Sequence, residues 1–239
     1  MAKVNGNNIR LYVQGDDLSG DANSLDGIGY SSTMLDVTTL DVTANKRISG
    51  LGSGTMGVSV WFDAAAGRSH ALFTANSGKV PITDQNVLVP MGSAEGDPSI
   101  HMVAKIANYD VENGIDTAVS ASASFESNTY TPQFGAMLTS HQDTHSSTTS
   151  GGTIDSGASS SSGGSAVLQV FSLSSGTADV KIQHSTNGSA WSDLLSFTAV
   201  TTSPNSEYIA VTGTVNRYLR CRSTNTFTNL VFAVDFARD

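Results

Sequence analysis

Charge, cysteine and long apolar runs are all scarce in this chain of 239 residues. Only 14% of its residues are charged, where about a quarter is usual for globular domains. Solvent faces must therefore be built from Ser, Thr, Asn and Gly, which suit strands and turns better than helices. The lone cysteine, Cys221, excludes an intrachain disulfide framework and a cysteine-based zinc cluster. No uncharged apolar run exceeds the five residues Leu230–Val234, far short of the roughly 20 that a membrane-spanning helix needs. The opening MAKVNGNNIR has no apolar segment of the kind a secretion signal carries, so synthesis in a cytoplasm is expected. Basic residues are few: 12 Lys and Arg stand against 21 Asp and Glu, a formal net charge of −9. That balance opposes the counterion-release binding of a DNA-reading domain. Most of the acidity lies early, with 7 basic and 14 acidic side chains in residues 1–139 but 5 and 7 in residues 140–239.

The boundary between those parts is Ser140–Ser165, where 19 of 26 residues are Ser, Thr or Gly. With little apolar surface to offset the entropy of ordering, it reads as a flexible linker. Within it, Ile154 marks a candidate edge strand. The division expected is a β domain over 1–139, a linker over 140–163 and a β-sandwich surface domain over 164–239.

In the first part, Asn8–Gln14 reads as a strand, and Gly15–Ser32 as a long polar arm. Leu35–Thr43, in which Asp-Val-Thr recurs, reads as strands flanking a bulge. Gly50–Gly57 reads as a hairpin turn, with a strand following at Val58–Phe62. Asp63 and Gly78 bracket an alanine-containing stretch with the start and stop signals of one short helix. Strands are expected at Val87–Met91, Ile100–Asp110 and Val119–Glu126, the last alternating strictly between small apolar and polar residues. Beyond the linker, residues 166–173, 178–185, 194–200, 207–212, 217–223 and 229–236 are six evenly spaced strands, the pattern of an antiparallel sandwich. Leu230, Phe232, Val234 and Phe236 form its inward row, with Trp191 and Phe197 expected beside them.

No reactive constellation emerges. His141, Asp143 and His145 have a helical metal-ligand spacing but lie in linker sequence. His70, His101 and His184 read as partly buried structural residues. The acidic pairs Asp16/Asp17 and Asp36/Asp41 lack a calcium-loop pattern, no serine stands in a nucleophile elbow, and Gly50–Gly57 lacks the lysine of a phosphate-binding loop. No enzyme, cofactor or metal site is expected. Asn187, Gly188 and Trp191, in STNGSAW, form a hairpin turn of a kind also found in carbohydrate-binding sandwiches.

Three blocks, MLDVTTLDVTANKRISGLGSGTMGVSVWFD (34–63), GRSHALFTANSG (67–78) and GDPSIHMVAKIANYDVENGIDTAVSASASFES (96–127), resemble the major tail tube protein of long-tailed, non-contractile bacteriophages. The C-terminal part resembles the extra sandwich domains that such proteins carry outside the tube. The resemblance implies a mainly β fold: a tail-tube-type β-sandwich or half-barrel with one short flanking helix, plus a C-terminal antiparallel β-sandwich. It implies a virion structural protein of stacked, hexameric rings that conduct DNA during ejection. Its partners would be itself, other tail proteins and genomic DNA sliding past an acidic wall without sequence-specific binding, with no membrane insertion. The arm would bridge rings through Asp16, Asp17, Leu18, Asp21, Leu25, Asp26 and Ile28. The alternative is a glycan- or cell-surface-binding module mounted on a virion through its N-terminal domain.

Overall fold

The computed structural model describes residues 6–239; residues 1–5, on which the reading of the amino terminus partly rests, lie outside the described residues. The fold is mainly β, with 57% of residues in strands and 3% in helix. The strands are β1 (Tyr12–Val13), β2 (Asp16–Asp17), β3 (Ala22–Asp36), β4 (Arg47–Trp61), β5 (Gln85–Pro90), β6 (Pro98–Glu112), β7 (Ser120–Ser127) and β8 (Gln133–Met137). They continue with β9 (Asp143–His145), β10 (Thr149–Ser150), β11 (Ile154–Asp155), β12 (Gly164–Gly176), β13 (Asp179–Ser185), β14 (Ser192–Ser196), β15 (Asn205–Val211), β16 (Tyr218–Thr224) and β17 (Phe227–Arg238). The helix α1 spans Ser69–Phe73.

One sheet of twelve strands follows the path β15-β12-β17-β8-β6-β5-β1-β2, with β7, β4 and β3 branching from β6 and β9 lying on β17. A second sheet of five strands runs β10-β16-β13-β14, with β11 also on β16. Apolar residues between Leu11 and Phe125 form one core, and those between Leu138 and Phe236 another. Tyr12, Leu88, Met137, Val167 and Ala233 form a small third cluster drawn from both parts of the chain. The expected inward row Leu230, Phe232, Val234 and Phe236 lies in the second core, as does Phe197.

The large sheet turns back on itself. Gln169, fully buried in β12, accepts the Gly15 N–H at 2.6 Å and donates to the Asn86 carbonyl at 2.8 Å. Gly15 has φ +86°, and a Cβ there would lie 2.5 Å from the Asn205 backbone nitrogen. Only glycine allows that approach.

Several segments differ from the sequence reading. Asn8–Gln14 contributes only the two residues of β1, after a 3-10 turn at Gly6–Asn8. The helix is shorter than its signals: Asp63 caps no helix but accepts the Ala65 N–H, and α1 starts after Arg68 without a side-chain cap. Gly50–Gly57 is no turn, because it lies inside β4. Residues 37–46 form the loop of the β3–β4 hairpin, so only the first part of Leu35–Thr43 is strand.

The linker reading is also corrected. Residues 140–163 hold β9, paired with β17, and β10 and β11, both paired with β16. Polar composition supplies little burial of its own, but neighbouring strands satisfy its backbone. His145 is buried, with Nδ1 2.6 Å from Ser223 Oγ. Arg217 donates from Nε and Nη2 to the two Asp155 oxygens, each at 2.6 Å.

Protease should therefore cut first in the exposed 37–46 loop and leave 140–163 intact; mass spectrometry of early fragments checks this. The Arg217 fork, with help from the Gly157 N–H, holds the Asp155 carboxyl at about 2. A depressed carboxylate stabilises the fold above its unfolded value near 3.9 and loses that contribution as pH falls through the folded value. Hence β11 should loosen from β16 between about pH 4 and 2, read as faster hydrogen exchange at the Ser156 N–H, which donates to the Arg217 carbonyl.

Candidate functional site

Strands β3, β4, β7 and the second half of β6 form a four-stranded antiparallel array. Alternation divides its two faces. Met56, Val58, Val60, Ala121, Ala123, Phe125 and Ile106 enter the core under α1, whose Phe73 ring meets Phe125 edge-on at 5.9 Å. The opposite face is small and polar. One cross-strand row reads Asp26, Gly57, Ser124 and Asn108; the next holds Ser24, Ser59, Ser122 and Asp110. Hydrogen bonds link them: Asn108 Nδ2 donates to Asp110 Oδ2 at 3.0 Å, and Asn108 Oδ1 accepts from the Ser124 amide and hydroxyl. With Glu112 and Glu126 the face carries four carboxylates, while its one lysine, Lys105, is paired with Asp84 at 2.8 Å.

Both edges of this array are open among the described residues. β3 pairs only with β4, and Lys105–Glu112 of β6 pairs only with β7. Beyond Thr55, where β7 ends its pairing with β4, β3 and β4 continue alone as a two-stranded ribbon. Eight residues at about 3.3 Å each give the ribbon a reach of roughly 25 Å. It carries eight of the fifteen exposed large apolar side chains, Tyr30, Met34, Leu35, Val37, Leu40, Val42, Ile48 and Leu51. An isolated two-stranded ribbon is marginal in water, and an exposed apolar concentration of this size marks a contact surface. At its root, Gly54 lies against the Pro132 ring, leaving no room for a Cβ.

Sequence reading missed a polar cluster where the two parts of the chain meet. His101 Nδ1 lies 2.8 Å from Asp235 Oδ2, and His101 Nε2 lies 2.9 Å from Ser165 Oγ. Ser99 Oγ donates to the same Asp235 oxygen at 2.9 Å, and the Val167 N–H to the other at 3.2 Å. With the carboxylate accepting, the imidazole donates from Nδ1 and accepts the Ser165 O–H on Nε2. The order Ser-His-Asp matches a hydrolytic relay, but access does not. Ser165 is 3% exposed and His101 and Asp235 are 0%. Three open cavities of about 190, 210 and 300 Å³ include none of the three residues in their walls. The cluster joins β6, β12 and β17. Residues 99, 101, 165 and 235 have no shared spacing, so no motif could reveal it.

The residues assigned to a ring-bridging arm lie elsewhere than expected. Leu18 is fully buried in the first core, and Leu25 and Ile28 pack on its margin. Asp21 is 6% exposed, accepts the Ser69 N–H at 2.9 Å and faces Arg68 at 3.6 Å. Asp16 and Asp17 form β2, where burial raises the pKa of Asp16. Asp17 accepts from Gln142 Nε2 at 2.7 Å. Asp26 alone stands on the exposed polar face. Thus 16–28 is a tether onto its own core, and the projecting element is the later ribbon.

Asn187 Oδ1 accepts the Ser189 and Ala190 N–H groups at 2.9 Å each, while Gly188 turns at φ +72°. Trp191 is not in the sandwich core; it is half-buried against Arg220, whose guanidinium carbon lies 4.2 Å from its ring centre. His70 contacts Tyr109 Oη at 3.0 Å, and His184 is half-buried, its pKa lowered by burial and then by Arg238. His141 Nε2 meets the Asn8 carbonyl, so it does not converge with Asp143 and His145. Among the described residues no group of three or more potential ligands gathers as a metal site, and no helix is long and apolar enough to cross a membrane.

No protein-family model matches the chain, and no curated protein matches it. Among solved structures it is similar to a chain in the virion of a native gene transfer agent particle, at 17% identity and TM-score 0.42, covering 56% of this chain and 98% of the other. It is also similar to the SPP1 Dit protein, described as a hub adsorption apparatus of phages infecting Gram-positive hosts. There identity is 14% and TM-score 0.39, over 96% of this chain and 98% of the other. A chain of the phage p2 baseplate follows at 9% identity and TM-score 0.37, covering 97% and 98%. With every TM-score below 0.5, these likenesses leave the function to be read from the chain's own geometry.

Removing one partner of the buried cluster should be costly. Asp235→Ala leaves His101, Ser99 and the Val167 N–H without their acceptor, and a loss of about 3 kcal/mol or more is expected. The denaturant midpoint of the variant against the parent measures it.

Proposed function

We propose that the chain is a virion structural protein, the repeating subunit of a phage tail tube. The observation that carries this reading is the four-stranded array with two open edges, one polar acidic face and a projecting apolar ribbon. An open edge is a template for another strand. If β3 of one copy adds to Lys105–Glu112 of β6 in the next, the contact is heterologous and repeats until a ring closes. Six copies per ring, taken from the tail-tube resemblance, would line a channel with the face bearing Asp26, Asp110, Glu112 and Glu126. Such a wall repels phosphate and lets DNA slide, whereas a basic lining would hold it. The ribbon would reach the neighbouring ring and bury Leu40 and Leu51, now 109% and 91% exposed. The C-terminal sandwich would remain on the outside, available to other tail proteins.

Purified protein should form rings or tubes in negative-stain images and sediment accordingly. The doubly substituted L40D/L51D chain should keep its circular dichroism, since neither side chain is buried, and should stop at single rings that do not stack. A parent chain that stays monomeric at every concentration, or assembly untouched by the two aspartates, contradicts the reading.

A further inference from the structure

The five-stranded sheet has a second face. Val180, Ile182, Leu195, Leu219 and Cys221 point into the core. Alternation then sends Lys181, Gln183, Arg220 and Arg222 the other way, with Asp193 opposite Gln183. The ladder register sets Lys181 across from Arg222 and Gln183 across from Arg220. Lys181 Nζ donates to Asp193 Oδ2 at 2.9 Å, and Gln183 Nε2 to Asp193 Oδ1 at 2.7 Å. Gln183 Oε1 accepts from Arg220 Nε and Nη2 at 3.0 and 2.8 Å. The Arg220 guanidinium lies over Trp191, so its plane is fixed by an amide on one side and an indole below.

Two features of this face ask for a ligand. Among the described residues, neither Arg220 nor Arg222 has a carboxylate within 4.0 Å, although acidic residues outnumber basic ones in the chain. Arg222 Nε is also a buried donor with no hydrogen-bond partner, a rare state in folded proteins. Burial, and then the neighbouring Arg222 charge, lower the pKa of Arg220, and the nearest carboxylate, Asp193, is already bonded to Gln183 and Lys181.

We propose that the outer face of β13, β14 and β16 binds an acidic polysaccharide, with Arg220 and Arg222 gripping its carboxylate or phosphodiester groups and Trp191 supporting a neighbouring sugar. Guanidinium forks match both anions in geometry. The two arginines are two residues apart on one strand, about 7 Å, and so engage successive groups of a chain. Lys181, Trp191, Arg220 and Arg222 are part-exposed and Asp193 is exposed, so the face is reached from solvent. An open face gains strength by repeated contact along a polymer. A polynucleotide fits less well, because it needs a longer basic track, and Asp179 and Asp193 interrupt this one. The site does not depend on the assembly reading, since it lies on the other sheet.

The test uses the full chain, in the L40D/L51D form as well as the parent, against immobilised polygalacturonate, poly(glycerol phosphate), neutral dextran and single-stranded oligothymidylate. Binding to polygalacturonate or poly(glycerol phosphate), but not to dextran, is expected, and the better of the two identifies the anion. R222Q, which removes no hydrogen bond from the fold, should weaken that binding roughly tenfold. R220Q/R222Q should abolish it, with a lowered melting temperature because Arg220 also bonds Gln183 and covers Trp191, and W191A should weaken it, while the distant K79Q leaves it intact. Binding to neither acidic polymer, equal binding by R222Q and the parent, or tighter binding of oligothymidylate overturns the proposal.

Discussion

The Asp235 carboxylate is the constraint on which the rest of the architecture depends. It is fully buried, and a buried carboxylate is tolerated only where donors converge on it. Three do: an imidazole and a hydroxyl from β6 and a backbone amide from β12. Each donor belongs to a strand that has its own work elsewhere. β6 carries the open array, and β12 closes the second core. Holding Asp235 therefore fixes two cores in one register, and the Tyr12, Leu88, Met137, Val167 and Ala233 cluster fills the space beside it. The cost of failure is high on both sides, because an unpaired group here would be stranded away from water.

The open array and the seam divide the labour of the molecule. Around the seam, polar atoms are paired internally and nothing is left for a partner. At the array the reverse holds: among the described residues its backbone edges and apolar ribbon side chains lack partners, and its carboxylates bond only to neighbours on the same face. Small residues make that arrangement possible. Ser and Gly along β4 and β7 keep the polar face shallow, and Gly54 admits the Pro132 ring at the ribbon's root.

Much of the fold was legible in the sequence because of turn spacing and alternation. Six C-terminal strands and β7 follow those signals, since their β-formers recur between turn residues, although β12 and β17 are buried on both faces over much of their length. The ribbon was not legible. Its β4 strand has Gly50, Gly52, Gly54 and Gly57, which imitate a turn, and its apolar residues are exposed, so burial imposes no period on them. Residues 140–163 were misread for a related reason: Ser and Thr have little to bury, but β16 and β17 offered their backbones partners that composition does not record. Trp191 was expected in the core beside the inward row, whereas the Arg220 guanidinium gives it a partner on the outside. Of the candidate site, Asp26 was named for a different role, and Asn187 and Gly188 prove to shape the turn before Trp191.

The placement of Asp235 also sets an order of events during synthesis. β17 is the last strand of the chain, yet it pairs with β8, β9 and β12 and supplies the acceptor for His101. The ribosome makes every one of those partners first. The β3–β4 and β6–β7 hairpins, local in sequence, can form early, since contacts of short separation close fastest, and their joining through β4 and β7 needs no residue beyond Ser127. Until residues 227–238 emerge, however, His101, Ser99 and Ser165 face water and the second core lacks a wall. The half bearing the sticky ribbon can thus take shape before the half that locks it in place, and the exposed ribbon is an association hazard until β17 has joined β8, β9 and β12.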